Sequence, residues 1–268
     1  MSGLHNPYAR ELGSPLFSYP LLLLAAFLAG GINSMAGGGS FFTFPALVFT
    51  GVPPVAANAS STVALVPGSF ASAFGYRRDL GSLDGLSFRR CLLVSLVGGA
   101  VGAVLLIVTP ETTFVHIMPW LLLFATLMFA FGNMISRWLR KRVHIGESVF
   151  LPVLFVVSTY GGYFGGGMGI MVLAMFSLYG LTDIHAMNGA KTLLGGSLNA
   201  IAVIVFIAAH QVYWKQSLLM MVASIAGGLA GATLAKRIPR ETIRWGVISV
   251  GALMTVYFFR QSLVAAGH

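Results

Sequence analysis

The sequence predicts an all-α polytopic membrane protein with 8–10 hydrophobic segments, arranged as two repeats of inverted topology. Composition is the first observation: 57% of the residues are hydrophobic and 9% are charged, whereas a soluble domain carries about 25% charged residues. Water cannot wet such a surface, so the surrounding solvent must be lipid. The distribution of the charges and an internal repeat are the other two observations.

Six apolar runs approach or exceed the roughly 20 residues that an α-helix needs to cross a bilayer. They lie at 15–34, 88–109, 114–136, 186–209, 215–235 and 243–260. Four further runs, which are shorter or are interrupted by glycine and small polar residues, lie near 41–50, 55–75, 148–163 and 168–181. We interpret the first run as a retained membrane segment and not as a cleaved signal peptide, because Glu11 offsets Arg10 and no clean basic region precedes the run.

The basic residues are concentrated in short loops, which is the positive-inside pattern. Three clusters lie at 77–90, 137–142 and 236–244, and we place all three in the cytoplasm. The linkers 109–114 and 210–215 together contain one Lys or Arg, which is Lys215, so we place both linkers outside. The net charge of +9 therefore indicates membrane orientation, and we expect no nucleic-acid partner.

Counting the crossings predicts a hairpin in each half of the chain. Between the second and third basic clusters lie two clear spans and the segment 148–181, which must therefore cross the membrane an even number of times. We expect this segment to fold back at Gly165-Gly166-Gly167, because glycine permits a tight bend and a close backbone approach. The segment 15–50 has the same character and is broken at Gly37-Gly38-Gly39.

A shift of 128 residues places the first glycine run on the second, which predicts two repeats. The first repeat covers 1–142, with hairpin 15–50 and spans 55–75, 88–109 and 114–136. The second covers 143–268, with hairpin 148–181 and spans 186–209, 215–235 and 243–260. Three spans is an odd number, so the repeats insert with opposite orientation, as in many secondary transporters.

The breaks also predict where an anion binds. A backbone broken at mid-membrane carries N–H and C=O groups that lipid cannot satisfy. The second half-helix of each hairpin starts near Ser40 or Met168, and a helix start attracts anions through its free N–H groups and its dipole. Two inverted hairpins would aim two such ends at one point near the bilayer centre.

The predicted substrate site comprises the glycine runs, the polar residues beside the first run, and a polar stripe on the helix after each hairpin. Its members are Asn33, Ser34, Gly37, Gly38, Gly39, Ser40, Asn58, Ser61, Thr62, Gly165, Gly166, Gly167, Asn188, Lys191, Thr192 and Asn199. Helix packing is the alternative for the Asn, Ser and Thr residues. For Lys191 the alternative is snorkelling to the interface. We expect Asp183 to be a helix N-cap.

The acidic residues favour an anionic substrate over a cationic one. All seven lie at or near predicted span ends, at Glu11, Asp79, Asp84, Glu111, Glu147, Asp183 and Glu241. A Na⁺ site or proton relay built on a buried carboxylate is therefore disfavoured. The single Cys91 and the absence of a His-Glu metal pattern predict no cofactor and no metal site.

Two other functional classes are alternatives to a carrier. An intramembrane enzyme is disfavoured, because the six histidines lie near predicted span ends and no buried Ser–His dyad is expected. A passive anion channel stays open as an alternative, and a homo-oligomer is compatible with the sequence.

Several motifs resemble the sulfite exporter TauE/SafE family. They are GINSMAGGGS at 31–40, GVPP at 51–54, AANASST at 56–62, GGYFGGGMG at 161–169 and NGAKT at 188–192. The resemblance implies a multi-pass permease of the bacterial cytoplasmic membrane that exports sulfite, sulfoacetate or related organosulfonates. A permease of the same fold for another small anion is the alternative. The two halves differ in that Ser61 stands where the second half has Lys191.

Overall fold

The computed structural model describes residues 15–78, 86–140, 142, 145–234 and 240–266. Within these ranges the chain contains helices and short connections, and no strand. The helices are α1 (Pro15–Met35), α2 (Ser40–Phe49), α3 (Pro54–Gly75), α4 (Phe88–Val108), α5 (Glu111–Arg140), α6 (Glu147–Tyr163), α7 (Met168–Tyr179), α8 (Ile184–Ala208), α9 (Trp214–Leu234) and α10 (Arg240–Ala266). Seven of the charged residues considered in the sequence analysis lie outside the described residues. They are Arg10, Glu11, Asp79, Asp84, Lys141, Lys236 and Arg237.

Six of the described helices are long and apolar enough to cross a membrane. They are Phe17–Met35, Phe88–Val108, Glu111–Gly132, Ile184–Ala208, Trp214–Leu234 and Glu241–Ser262. Large hydrophobic side chains such as Val222 and Leu253 point outward, with 70% and 65% of their surface exposed. Only lipid can solvate such faces favourably, so these findings confirm the predicted all-α, multi-pass membrane fold.

Both glycine runs interrupt helices. Helix α1 ends at Met35 and α2 begins at Ser40, while α6 ends at Tyr163 and α7 begins at Met168. Gly37 and Gly165 both have φ +79°, a left-handed conformation that side chains with a Cβ rarely adopt. Helix α2 packs against α1, and α7 packs against α6. The sequence prediction of two glycine-broken helix pairs therefore matches the helix bounds.

The helix contacts follow a pattern that repeats between the two halves. Helices α1 and α3 pack on α9, and in the same way α6 and α8 pack on α4. Helix α2 contacts α10, and its counterpart α7 contacts α5. Two related repeats would produce this reciprocal pattern, in which each half packs the corresponding helices against the other half. The division at 142/143 and the opposite orientation of the halves stay predictions.

Glycines allow the central helices to approach closely. A Cβ on Gly68 of α3 would lie 2.6 Å from the Ser224 carbonyl oxygen of α9, and a Cβ on Gly99 of α4 would lie 2.8 Å from the Leu198 carbonyl oxygen of α8. Both distances are too short for real contacts, so no larger residue fits without a backbone shift. Small residues are the usual means of tight helix packing in membranes.

The fold-back of α6 and α7 predicts the membrane side of two nearby positions. Cysteines replacing Ser148 and Thr182, in a Cys91→Ala background, should react with a membrane-impermeant maleimide from the same face. Both positions are exposed, and the substitutions spare the Glu147–Arg90 ion pair and the Asp183 cap.

A cysteine replacing the loop residue His210 is the control and should react from the other face, because α8 lies between positions 182 and 210. Labelling of positions 148 and 182 from opposite faces would contradict the fold-back.

Candidate functional site

Two cavities lie near the breaks and the polar starts of α3 and α8. One, which we name the central cavity, has a volume of about 50 Å³ and lies among the glycine runs, α3 and α8. The other, which we name the vestibule, has a volume of about 480 Å³ and is lined from α1, α5, α7, α8 and α10 and the loop before α8. The vestibule includes Arg140 and Arg244, so it lies at the end of the molecule that the charges place in the cytoplasm.

More than half of the predicted site residues line the central cavity. They are Asn33, Gly37, Gly38, Ser40, Thr62, Gly165, Lys191, Thr192 and Asn199. The structure thus brings both glycine runs and both polar stripes to one place. Among the described lining residues, Lys191 is the one charged side chain, and none is a carboxylate. An anion fits this chemistry better than a cation does.

The other predicted residues do not line the central cavity. They are Ser34, Gly39, Asn58, Ser61, Gly166, Gly167 and Asn188. Ser61 is buried, and its Oγ lies 2.5 Å from Oγ1 of Thr43 on α2. Asn188 lines the vestibule. Ser34 is buried, and its Oγ has no hydrogen-bond partner among the described residues.

Five lining residues were not in the predicted set: Leu65, Ser69, Met168, Gly169 and Gly195. Helical spacing points to three of them. Ser69 lies on the polar stripe of the first half, eleven residues after Asn58. Leu65 follows Thr62 by three residues and Gly195 follows Lys191 by four, so each shares a helix face with a predicted residue. Gly169 lies one residue inside α7, and nothing in its own residue type signals a role in lining a cavity.

Lys191 caps the end of α1. Its Nζ donates to the backbone oxygens of Asn33 at 3.2 Å and Ser34 at 3.5 Å, and to Oδ1 of Asn188 at 3.2 Å. The last carbonyls of a helix have no partner within it and carry its negative dipole end, so an ammonium group stabilises them. Only 3% of Lys191 is exposed. The snorkelling alternative is therefore wrong.

Asn58 plays the corresponding part for the other broken helix. Its Nδ2 donates to the backbone oxygen of Tyr163, the last residue of α6, at 2.7 Å. The polar stripe of each half therefore caps the broken helix of the other half: α8 caps α1, and α3 caps α6. The cap is a cation in one case and a neutral amide in the other.

The start of α2 corrects one expectation from the sequence. The Gly39 N–H is not available as a donor to an anion, because it already donates to Oδ1 of Asn33 at 2.8 Å. The N–H groups of Gly38 and Ser40 donate to no atom in the described part of the chain. Both residues line the central cavity, so these two amides at the start of α2 remain available as hydrogen-bond donors.

The hydroxyl groups of the stripes are already engaged with their own helices. Oγ1 of Thr62 donates to the backbone oxygen of Asn58 at 3.0 Å, and Oγ1 of Thr192 donates to the backbone oxygen of Asn188. The side chain of Asn199, by contrast, forms no hydrogen bond with the described residues. Its amide is therefore the stripe donor that an anion could use at no cost in existing bonds.

A thin partition separates the vestibule from the central cavity. A Cβ on Gly37 would lie 2.8 Å from Cα of Gly169, so the two backbones are in direct contact. The neighbouring residues Ala36 and Ile170 line the vestibule, while Gly37 and Gly169 line the central cavity. The partition is thus one residue thick on each chain segment.

A cluster of aromatic rings packs together on the predicted outer side. The ring centroid of Phe44 lies 6.4 Å from that of Phe114 and 5.9 Å from that of Phe164, and Phe114 lies 6.0 Å from Tyr163. The three phenylalanines are buried. Phe44 lies on α2, Phe164 lies in the break after α6, and Phe114 lies in the first turn of α5, whose start the charges place outside.

Comparison with known proteins shows similarity along nearly the whole chain. The family model described as sulfite exporter TauE/SafE matches residues 22–258. A probable membrane transporter protein of Haemophilus influenzae is 30% identical over 88% of this chain and 92% of its own length. The probable membrane transporter protein YfcA of Escherichia coli K12 is 30% identical over 90% of each chain. A third, ORF9 of Sinorhizobium sp, is 30% identical over 80% of this chain and 82% of its own. No solved structure matches the chain significantly.

The capping role of Lys191 predicts a loss of stability on its removal. Lys191→Met leaves the Asn33 and Ser34 carbonyls without this donor, and a buried polar group without a partner costs roughly 1–3 kcal/mol. The midpoint of thermal unfolding in detergent should fall by several degrees. Lys215→Met is the matched control, because Lys215 is exposed at the start of α9. Equal midpoints for the two variants would contradict the cap.

Proposed function

The chain belongs to the sulfite exporter TauE/SafE family, as its motifs predicted, and on that premise we propose that it is a secondary transporter for a small sulfur-containing anion. The substrate is sulfite, sulfoacetate or a related organosulfonate, and the chain exports it across the bacterial cytoplasmic membrane. One observation carries the proposal. Both halves contribute polar groups to a central cavity whose described lining contains Lys191 and no carboxylate.

The groups around the central cavity support binding of an oxyanion. The amides of Gly38 and Ser40, the side-chain amide of Asn199 and the ammonium of Lys191 are all hydrogen-bond donors. Oxyanions are bound well by backbone N–H groups at helix starts. A positive group in a low-dielectric surrounding strengthens such binding, because little water screens the charge.

The size of the central cavity favours a compact substrate. One water molecule needs about 10–15 Å³ of such space, so about 50 Å³ has room for only a few heavy atoms. Sulfite fits this volume more readily than a sulfonate with a carbon chain does. We therefore rank sulfite first, and a longer organosulfonate requires the cavity to widen.

Alternating access can be linked to the position of Lys191. The ammonium now holds the end of α1 to α8 through the Asn33 and Ser34 carbonyls. An anion in the central cavity competes with these carbonyls for the same positive charge. As the ammonium turns to the anion, α1 loses its tie to α8, and the Gly37–Gly169 contact beside it can separate. Substrate binding thereby favours a change between conformations, as a carrier requires.

A carrier saturates with substrate, whereas a passive channel conducts in proportion to concentration. Sulfite flux in proteoliposomes should therefore reach a plateau. Gly38→Leu should reduce it at least tenfold, because even a Cβ at this position would lie 2.6 Å from Cζ of Phe129. Gly166→Leu should do the same, since its Cβ would lie 2.7 Å from Cε1 of Phe164.

Gly246→Leu is the matched control, because a Cβ there meets nothing within 4 Å. Flux that rises linearly with sulfite would favour the channel. Unchanged flux in both glycine variants would contradict the proposed role of the two glycine runs in transport.

Binding can be measured apart from transport. Sulfite should raise the midpoint of thermal unfolding of the purified protein more than sulfate, thiosulfate or C2 sulfonates do, because a ligand that binds the native state stabilises it by mass action. Asn199→Leu should abolish most of this shift without lowering the midpoint of the ligand-free protein, since the Asn199 side chain forms no hydrogen bond with the described residues. An equal sulfite shift in the variant would remove Asn199 from the site.

A further inference from the structure

We propose that the vestibule is a second anion-binding site, which receives the anionic group of an organic sulfonate beside Arg140 and Arg244 before substrate reaches the central cavity. The proposal rests on the transport function proposed above and adds a second binding site to the path of the substrate. It concerns side chains that neither the glycine runs nor the polar stripes contain.

The volume of the vestibule suits an organic anion. At about 480 Å³ it falls within the range of small-molecule sites, roughly 300–1,000 Å³. The central cavity has about 50 Å³. A ring-bearing sulfonate can therefore enter the vestibule and cannot pass the Gly37–Gly169 partition. The two cavities should differ in the largest anion that each accepts.

Arg244 is a guanidinium held in a fixed position on the vestibule wall. Its Nε donates to the backbone oxygen of Phe129 at 3.0 Å, its Nη2 donates to that of Ala130, and its Nη1 lies 3.1 Å from Oε2 of Glu241. The Arg244 side chain is 19% exposed. A guanidinium has five N–H donors, more than these contacts use. A positively charged donor held in place loses little entropy when an anion binds.

The described charges of the vestibule favour an anion. They are Arg140, Arg244 and Glu241. Glu241 is 68% exposed, so water weakens its effect on Arg244. Arg140 is exposed and forms no ion pair in the described part of the chain. One positive charge therefore remains uncompensated where substrate enters.

The rest of the lining fits both ends of an organic sulfonate. Ser177, Thr182 and Asn188 supply hydrogen-bonding side chains, while Ile170 and Leu173 supply apolar surface. Asn188 also accepts a hydrogen bond from Lys191, which lines the central cavity. The vestibule thus leads from two arginines to the amide that contacts the central ammonium.

Benzenesulfonate is the probe, because its ring fits the vestibule and exceeds the central cavity. Added to the vestibule side of proteoliposomes, it should inhibit sulfite flux competitively without being transported, and it should not inhibit from the other side. Arg140→Gln should raise its inhibition constant at least fivefold. Glu241→Gln should lower this constant, because it removes the opposing charge.

Arg89→Gln is the matched control, since Arg89 is exposed in the first basic cluster and does not line the vestibule. Unchanged inhibition constants in the Arg140 and Glu241 variants would overturn the site. An equal change in the Arg89 variant would also overturn it, because the effect would then come from the general surface charge.

Thermal stabilisation of purified protein by benzenesulfonate separates this proposal from the transport proposal. Stabilisation that depends on Arg140 and survives in Asn199→Leu supports the vestibule site even if sulfite is not transported. Sulfite transport with no stabilisation dependent on Arg140 overturns the vestibule site alone.

Discussion

The structure depends on one constraint, which is that a helix broken inside a membrane must find partners for its end groups. Lipid offers no hydrogen bonds, and each unsatisfied group costs several kcal/mol. The breaks after Met35 and Tyr163 leave such ends in both halves. The chain satisfies them with side chains from the opposite half: Lys191 for α1 and Asn58 for α6. Lys191 and Asn58 of the polar stripes therefore have a structural role as helix caps, whether or not a ligand is bound.

The proposed function assigns substrate binding and conformational change to the same residues. A side chain from one half that caps a helix of the other half also fixes the relative position of the two halves. A ligand that draws this side chain away from the helix end would therefore allow that position to change. Only one of the two caps carries a charge, because Ser61 stands at the position of Lys191 and bonds to Thr43 within its own half. On the proposed function, an anion would therefore act mainly on the contact between α1 and α8.

The sequence was sufficient to predict the features that depend on local chemistry. The lengths of the apolar runs predicted the helices, and the glycine runs predicted the breaks. The predicted N-cap of α8 is confirmed, because Asp183 accepts hydrogen bonds from the N–H groups of His185 and Ala186. The partners of the site residues could not be predicted, because they are far apart in the chain. Asn58 and Tyr163 are 105 residues apart, and Lys191 and Asn33 are 158 apart. Residue type alone does not tell a cap from a ligand-binding group.

Opening the central cavity requires packed groups to separate on either side of it. On the vestibule side, the Gly37 and Gly169 backbones are in contact, and the Phe129 ring, which pairs edge-to-face with Phe41, lies against Gly38. On the predicted outer side, opening must separate Phe44 from Phe114 and Phe164, which are buried rings. Aromatic pairs contribute about 0.5–1.5 kcal/mol beyond their buried area. Each side of the central cavity therefore includes an aromatic pair, so ring packing adds to the free energy needed to open the cavity in either direction.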